Sequence, residues 1–275
     1  MLVSLIAVAY KDPVALELIL EAMRRQTYTN FEIIVAEDND DQETKEIIKK
    51  FSDLTIKHVF HPDNGRRKTT VQNRAICMAQ GEYLLFIDGD CVPYSTFVEY
   101  HVVMATKNVV MSGRRANLDD KTSKQIREGK LAPEKLEKTY WLYYLQRIFS
   151  SDEHVEQGIS LNPQGWIYKT FLKNRRRNAE LLGAHIACYK EDIMKINGFN
   201  EEYAAYQGED VDLNWRFKAA GIQILSCKNT ALVFHLFHPK GPIIETTQKD
   251  PDMLLMEKEM KLNRFKCVHG LNQHC

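Results

Sequence analysis

The chain has 275 residues, 44% of them apolar, which suits one α/β domain with a sizeable core plus an insertion or a helical tail. Lysine plus arginine equal aspartate plus glutamate at 37 each, so no net field draws in nucleic acid and any charged partner has to be met by a local patch. No apolar run approaches the ~20 residues that span a bilayer, and Met1 leads directly into an apolar segment without a basic n-region or cleavage site, so neither a membrane span nor a signal peptide is expected.

In chain order, Val3–Tyr10 is a continuous apolar run, the pattern of a strand buried on both faces. Asp12-Pro13 opens a helix to about Arg25, with Asp12 as N-cap and Pro13 in the first turn. Phe31–Ala36 reads as a second strand, Glu43–Phe51 as a helix, Thr55–Phe60 as a third strand, Thr69–Gln80 as a helix and Tyr83–Ile87 as a fourth strand. This alternation predicts a mostly parallel, Rossmann-like sheet with helices on both faces. Residues 113–180 break the pattern, with dense charge and an aromatic helix over Pro133–Ser150. The pattern then returns: strand Ala184–Tyr189, helix Glu191–Ile196, helix Glu209–Ala220, strand Ala231–Phe234 and a terminal helix over Met253–Arg264. The six cysteines (Cys77, Cys91, Cys188, Cys227, Cys267 and Cys275) are scattered with no CxxC pair, and without an export signal they are expected as reduced cytoplasmic thiols. The terminal group Cys267, His269, His274 and Cys275 fits no common zinc spacing.

Sheets of this kind bind ligands at the carboxyl ends of their strands. Those ends carry Lys11-Asp12, Glu37-Asp38, Asp63-Asn64-Gly65 and Asp88-Gly89-Asp90. Two carboxylates one residue apart after a buried strand can converge on one hard cation, and Gly89 between them permits a tight turn and the approach of a diphosphate. Alone, Asp-x-Asp is a weak signal. Gly208-Glu209-Asp210 opens a helix, where the macrodipole favours ionised carboxylates, so either acid can serve as a general base or simply stabilise the helix start. Asp212 and Arg216, four apart, read as a helix-surface ion pair. His235 and His238 end an apolar strand, and with the paired acids they make a mixed oxygen–nitrogen metal site credible.

Taken in order, these elements resemble family-2 glycosyltransferases of the GT-A fold. Leu5–Asp12 resembles their first strand, Val35-Ala36-Glu37-Asp38-Asn39-Asp40 their Val-x-Asp-Asp-Gly-Ser turn, and Asn64-Gly65 through Asn73 and Ala79–Tyr83 the lead-in to Asp-x-Asp. Ile196–Glu201 and Gly208-Glu209-Asp210 resemble the galactosyltransferase-like C-terminal part of chondroitin-type polymerases. The resemblance divides residues 1–240 into a nucleotide-sugar-binding half (1–112), a helical, basic insertion (113–180) and an acceptor and catalytic half (181–240), followed by a helical tail (241–275). It implies a metal-dependent inverting transferase acting in surface polysaccharide synthesis, with a nucleotide-sugar donor, most often UDP-linked. The acceptor would be a glycan or lipid-linked glycan. Asp210 would be the base and Glu209 would orient hydroxyls. Tyr10, Asp12, Glu37, Asp38, Gly65, Arg66, Lys68, Asn73, Asp88 and Gly89 would line the donor, and Asp90, His235 and His238 would hold Mn2+ or Mg2+. The chain departs from the family at Val71-Gln72-Asn73, where Ala-Arg-Asn is usual, leaving Arg66, Arg67 or Lys68 to supply the charge, and at Glu37, where aspartate is usual.

In the insertion, Tyr140–Tyr144, Phe149, Trp166, Tyr168 and Phe171 precede Lys173–Arg177. They read equally as a packed helix with a solvated loop, as a sugar-stacking surface, or as a contact with an anionic membrane, the last implying cytoplasmic placement with peripheral attachment. Two other functions compete: a catalytically silent sugar- or nucleotide-binding module, against which the intact acids argue, and a nucleotidyltransferase, disfavoured because Ala9–Pro13 lacks a Gly-rich, lysine-bearing phosphate loop.

Overall fold

All seven residues of β1 (Val3–Ala9) are buried, which places this strand at the heart of the sheet. The computed structural model describes residues 1–147, 155–173, 179–203, 208–239 and 251–275. Strands β2 (Phe31–Glu37) and β4 (Tyr83–Ile87) flank β1 in parallel, and β3 (Ile56–Phe60) extends β2 in parallel. Their connections are α1 (Pro13–Arg24), α2 (Gln42–Lys49) and α3 (Lys68–Met78). Asp12 caps α1 as the sequence implies, accepting a hydrogen bond from the Ala15 N–H at 3.0 Å.

Beyond β4 come β5 (Cys91–Pro93), α4 (Phe97–Met104), β6 (Val109–Ser112), β7 (Arg114–Asn117), α5 (Asp120–Arg127) and α6 (Pro133–Arg147). A 3-10 turn at Val155–Gly158 and a π-helical turn at Tyr168–Leu172 precede β8 (His185–Tyr189). Then follow α7 (Lys190–Lys195), α8 (Glu209–Ala219), β9 (Gln223–Ser226), β10 (Leu232–His235), α9 (Pro251–Lys261) and a last 3-10 turn, Leu271–Gln273. The main sheet has the order β3-β2-β1-β4-β8-β6-β9, and a second sheet has the order β5-β10-β7. The main sheet is mostly parallel, as expected; β8 is the exception, running antiparallel to both β4 and β6. The expected end of the aromatic helix at Phe149 and Ser150, and the basic run Arg175-Arg176-Arg177, lie outside the described residues.

Successive side chains of a strand point to opposite faces, so β1 feeds two cores. Leu5 and Ala7 pack with Leu16, Ile19 and Leu20 of α1 on one face, while Ile6 packs with Val71 and Ala75 of α3 and with Leu213 and Phe217 of α8 on the other. Each leucine, isoleucine, valine or phenylalanine among them contributes about 1.5–3 kcal/mol through burial.

Within the insertion, β7 pairs in parallel with β10 and so joins the second sheet. Two features differ from the sequence reading. Asp212 and Arg216 do not form a surface pair. Both are 1% exposed; the guanidinium donates to Asp212 at 2.7 Å and to the carbonyls of Ile196 (3.0 Å) and Gly198 (2.7 Å), so it ties α8 to the turn after α7. Nor are all six cysteines reduced. Cys77 on α3 and Cys275 form a disulfide with Cα atoms 5.7 Å apart, while Cys91, Cys188, Cys227 and Cys267 are buried and outside any disulfide. The terminal segment is accordingly stitched to α3, and His274 meets Glu201 at 2.6 Å.

A buried histidine pair lies behind the end of β4. His101 on α4 and His185 on β8 place their Nε2 atoms 2.7 Å apart, with Cys227 close by. Burial drives both imidazoles toward the neutral form, His185 down to about 4. A Cβ at Gly113 would fall 1.8 Å from His185 Nδ1, so the imidazole occupies space that only glycine leaves open.

Candidate active site

The carboxyl ends of β1, β2 and β4 share one edge, and the expected acids gather there. Antiparallel pairing of β10 with β5 sets His235 opposite Cys91, next to Asp90. Asp90 Oδ2 then lies 3.1 Å from His235 Nε2 and 3.2 Å from His238 Nε2. The three donor atoms fall within 4.8 Å of one another. His235 Nε2 is buried, and its approach to Asp90 falls short of hydrogen-bond geometry. Burial alone would push the Asp90 carboxyl up; the His235 and His238 imidazoles outweigh it and hold the group at about 2, ready as an anionic ligand. The donor set therefore fits a divalent cation.

Loop residues 66–68, at the start of α3, reach three separate acids. The Arg67 N–H donates to both Asp38 oxygens at 3.1 Å, Lys68 Nζ meets Asp88 Oδ1 at 2.6 Å, and Arg66 meets Glu209 Oε1 at 2.7 Å. Burial raises the Asp38 carboxyl against the pull of that N–H and of His61, whose Nε2 is 3.1 Å away. Burial disfavours the Lys68 ammonium, yet Asp88 more than offsets this and its pKa is raised. Gly65 takes the positive φ of 81° that lets this loop turn.

Asp210 sits in the first turn of α8, after Gly208. Its Oδ1 accepts from the Val211 N–H at 2.9 Å, and its Oδ2 is 3.4 Å from the Gly183 N–H. One residue on, the Ala184 carbonyl accepts from the Asp88 N–H at 3.1 Å. A two-residue stretch before β8 thus connects the paired-acid turn with the acids of α8.

Other expected donor residues are engaged within the fold. Glu37 is fully buried, accepting from the Asp41 N–H at 2.8 Å and meeting His58 at 2.7 Å. Asn73 is also fully buried, where it clamps the Phe199 backbone and donates to Glu201 at 2.7 Å. Asp12, besides its cap, receives Arg127 through both oxygens at 2.9 and 2.8 Å. Tyr10 stands 47% exposed beside Lys11, which pairs with Asp63. Gly89 has a packing reason: a Cβ there would lie 2.5 Å from the Val8 carbonyl oxygen. Sequence reasoning missed His58, His61 and Gly183. His58 on β3 and His61 just after it, beside Glu37 and Asp38 at the end of β2, were the available signal for the first two; nothing marked Gly183.

This architecture, with its acids at the strand ends, is the GT-A one. TarS of S. aureus, residues 1–349 in complex with UDP-GlcNAc, superposes with a TM-score of 0.59 at 14% identity, covering 100% of this chain and 69% of that one. A mannosyltransferase from Pyrobaculum calidifontis in complex with GDP-Man and Mn2+ gives 0.57 at 14%, covering 87% and 58%. At such identities the likeness is one of fold. The family description "Glycosyl transferase family 2" matches residues 4–176, and "N-terminal domain of galactosyltransferase" matches residues 168–239. The chain belongs to glycosyl transferase family 2. Among its relatives, chondroitin synthase of Escherichia coli is 26% identical over 231 residues, 81% of this chain and 32% of that one. An E. coli UDP-Glc:α-D-GlcNAc-diphosphoundecaprenol β-1,3-glucosyltransferase is 27% identical over 107 residues, 39% and 42% of the two chains. The matches thus span less than half the length of these relatives.

Proposed function

We propose that the protein is a metal-dependent, inverting hexosyltransferase that moves a sugar from a UDP-sugar to a glycan or lipid-linked glycan in surface polysaccharide synthesis. The observation that carries this reading is the convergence of Asp90, His235 and His238 beside Asp88, with Asp210 and Glu209 joined to the same turn through Gly183 and Ala184. The TarS complex with UDP-GlcNAc and the diphosphoundecaprenol-directed relative support the donor and acceptor classes.

Asp90, His235 and His238 would hold Mn2+ or Mg2+, the mixed carboxylate–imidazole set favouring Mn2+; such a cation, when bound, neutralises charge on a diphosphate leaving group. Asp38 accepts a hydrogen bond from the nucleotide base. Lys68 and Arg66 turn from their resting acids toward the phosphates. Asp210 takes the proton of the acceptor hydroxyl, whose oxygen attacks the anomeric carbon opposite the leaving group. The bond from that carbon to the diphosphate oxygen breaks with its electron pair leaving on oxygen, and a single displacement inverts the configuration. Glu209, steadied by Arg66, orients sugar hydroxyls.

The decisive experiment is a screen of nucleotide sugars for hydrolysis and transfer, with Mn2+ and with chelator. Turnover of a UDP-sugar with Mn2+, lost in chelator and restored by the ion, is the expected result. Full turnover in chelator overturns the metal assignment, and turnover of no nucleotide sugar overturns the enzymatic reading.

A further inference from the structure

A cavity of about 1110 Å³ shares no residue with the catalytic edge. It lies beside the edge strand β9, beneath the segment 163–173. Its floor is apolar, with Met104, Met111, Ile222 and Ile224 buried, and three lysines, Lys169, Lys173 and Lys218, stand around it. All three are exposed. Among the described residues none of the three pairs with a carboxylate, a condition shared with the exposed Lys121, Lys124, Lys135 and Lys138; what sets the three apart is their place around one apolar floor. The same segment lifts Trp166 (70% exposed), Ile167 (43%) and Phe171 (55%) into solvent, with the Trp166 and Phe171 rings 6.2 Å apart.

Water solvates the exposed aromatic rings poorly, and an acidic lipid headgroup layer receives both those rings and the cations beside them. Tryptophan and phenylalanine settle at the interface of a bilayer, while lysines reach its phosphates from above. We infer that the face formed by residues 163–173 and Lys218 docks on an anionic lipid bilayer. A free phosphate would use the lysines and leave the rings without a role; a bilayer uses both. The inference rests on the proposed function only in giving a lipid-linked acceptor a place to be met, because docking itself needs neither donor nor metal.

The test is co-sedimentation of the full chain with vesicles of phosphatidylcholine containing one-fifth phosphatidylglycerol, beside pure phosphatidylcholine, at low salt and without substrate. Each lysine near an anionic surface strengthens binding by about fivefold, so Lys169→Glu with Lys173→Glu should weaken it by at least about 25-fold. Trp166→Ser with Phe171→Ser should also release the protein at unchanged charge. Brominated lipid should quench wild-type tryptophan fluorescence; Trp166→Phe should remove that quenching and Trp141→Phe should retain it. These substitutions are at exposed positions, and an unchanged thermal melt confirms folding. No binding by wild type to the anionic vesicles overturns the inference, as does binding indifferent to both double variants. Concentration-dependent dimerisation abolished by Trp166→Ser with Phe171→Ser would assign the face to a second copy instead. No vesicle binding by wild type with donor turnover intact would confine the failure to this inference and leave the proposed function standing.

Discussion

Replacing Arg216 with methionine isolates the strut that holds α8. The guanidinium is 1% exposed and makes three hydrogen bonds, to the Asp212 carboxylate and to the carbonyls of Ile196 and Gly198. Methionine fills much of the volume but leaves the buried Asp212 carboxylate without its cation and the Gly198 carbonyl without the guanidinium, while the Ile196 carbonyl keeps the Cys267 N–H at 3.4 Å. Breaking one side of a buried pair costs about 3–5 kcal/mol, because the remaining charge has to be neutralised or solvated. Burial already raises the Asp212 carboxyl even with Arg216 present, so neutralisation by a proton sets the cost within that range. For a domain of this size about 2–4 °C of melting temperature is lost per kcal/mol, which predicts a fall of roughly 6–20 °C. Urea denaturation followed by circular dichroism measures the energy directly. Adding Asp212→Leu to Arg216→Met should recover most of it, since an apolar pair of similar volume strands no charge. A loss under about 1 kcal/mol in the single variant would refute the strut. A double variant no better than the single would show that the Gly198 carbonyl, and not the carboxylate, carries the cost.

Asp210→Asn should reduce sugar transfer by ~10²–10⁴-fold with little change in affinity for the nucleoside diphosphate, whereas Asp90→Asn should weaken metal-dependent nucleotide binding by more than ~10-fold; titration calorimetry beside a transfer assay separates the two, and near-normal transfer by Asp210→Asn would move the base to Glu209 or another acid. Reductant should lower thermal stability, because the Cys77–Cys275 bond links positions 198 residues apart and is worth up to about 5 kcal/mol; Cys77→Ser should melt lower and be indifferent to reductant. The His101–His185 pair gives an acid limb to stability. Its members are neutral when folded and charge more readily when unfolded, so their contribution is complete above about pH 6.5 and is lost as pH falls toward about 4. For His185 alone the loss is about 3 kcal/mol, and His185→Gln should flatten the decline in denaturant midpoint between pH 7 and 4.5. An equally steep decline in that variant would place the acid sensitivity elsewhere.

The sheet was legible because burial on both faces writes itself into β1, β2 and β4 as apolar runs, and because Asp12-Pro13 sets an N-cap acceptor before a residue whose φ suits a first helical turn. The strand-end rule found the acids but not which way each would face. Glu37 and Asp38 are neighbours, yet one is engaged by His58 inside the fold while the other meets the loop of Arg67. Asp212 and Arg216 show a limit of spacing: four residues apart guarantees adjacency on a helix, but the Ile196–Gly198 turn decides whether that face is wet. The disulfide was out of reach because its partners stand 198 residues apart with no shared motif. Gly89 was correctly marked as special for an incomplete reason, since the Val8 carbonyl alone already excludes a side chain there.

The loop at residues 66–68 leaves the resting site electrically closed, with Lys68 on Asp88 and Arg66 on Glu209. Under the proposed function, a diphosphate entering such a site would trade partners with the acids: each cation it recruited would set a carboxylate free. Donor arrival would then also unlock Glu209 for the acceptor side, and that coupling would give order to an otherwise symmetric encounter of two substrates, donor first and acceptor second.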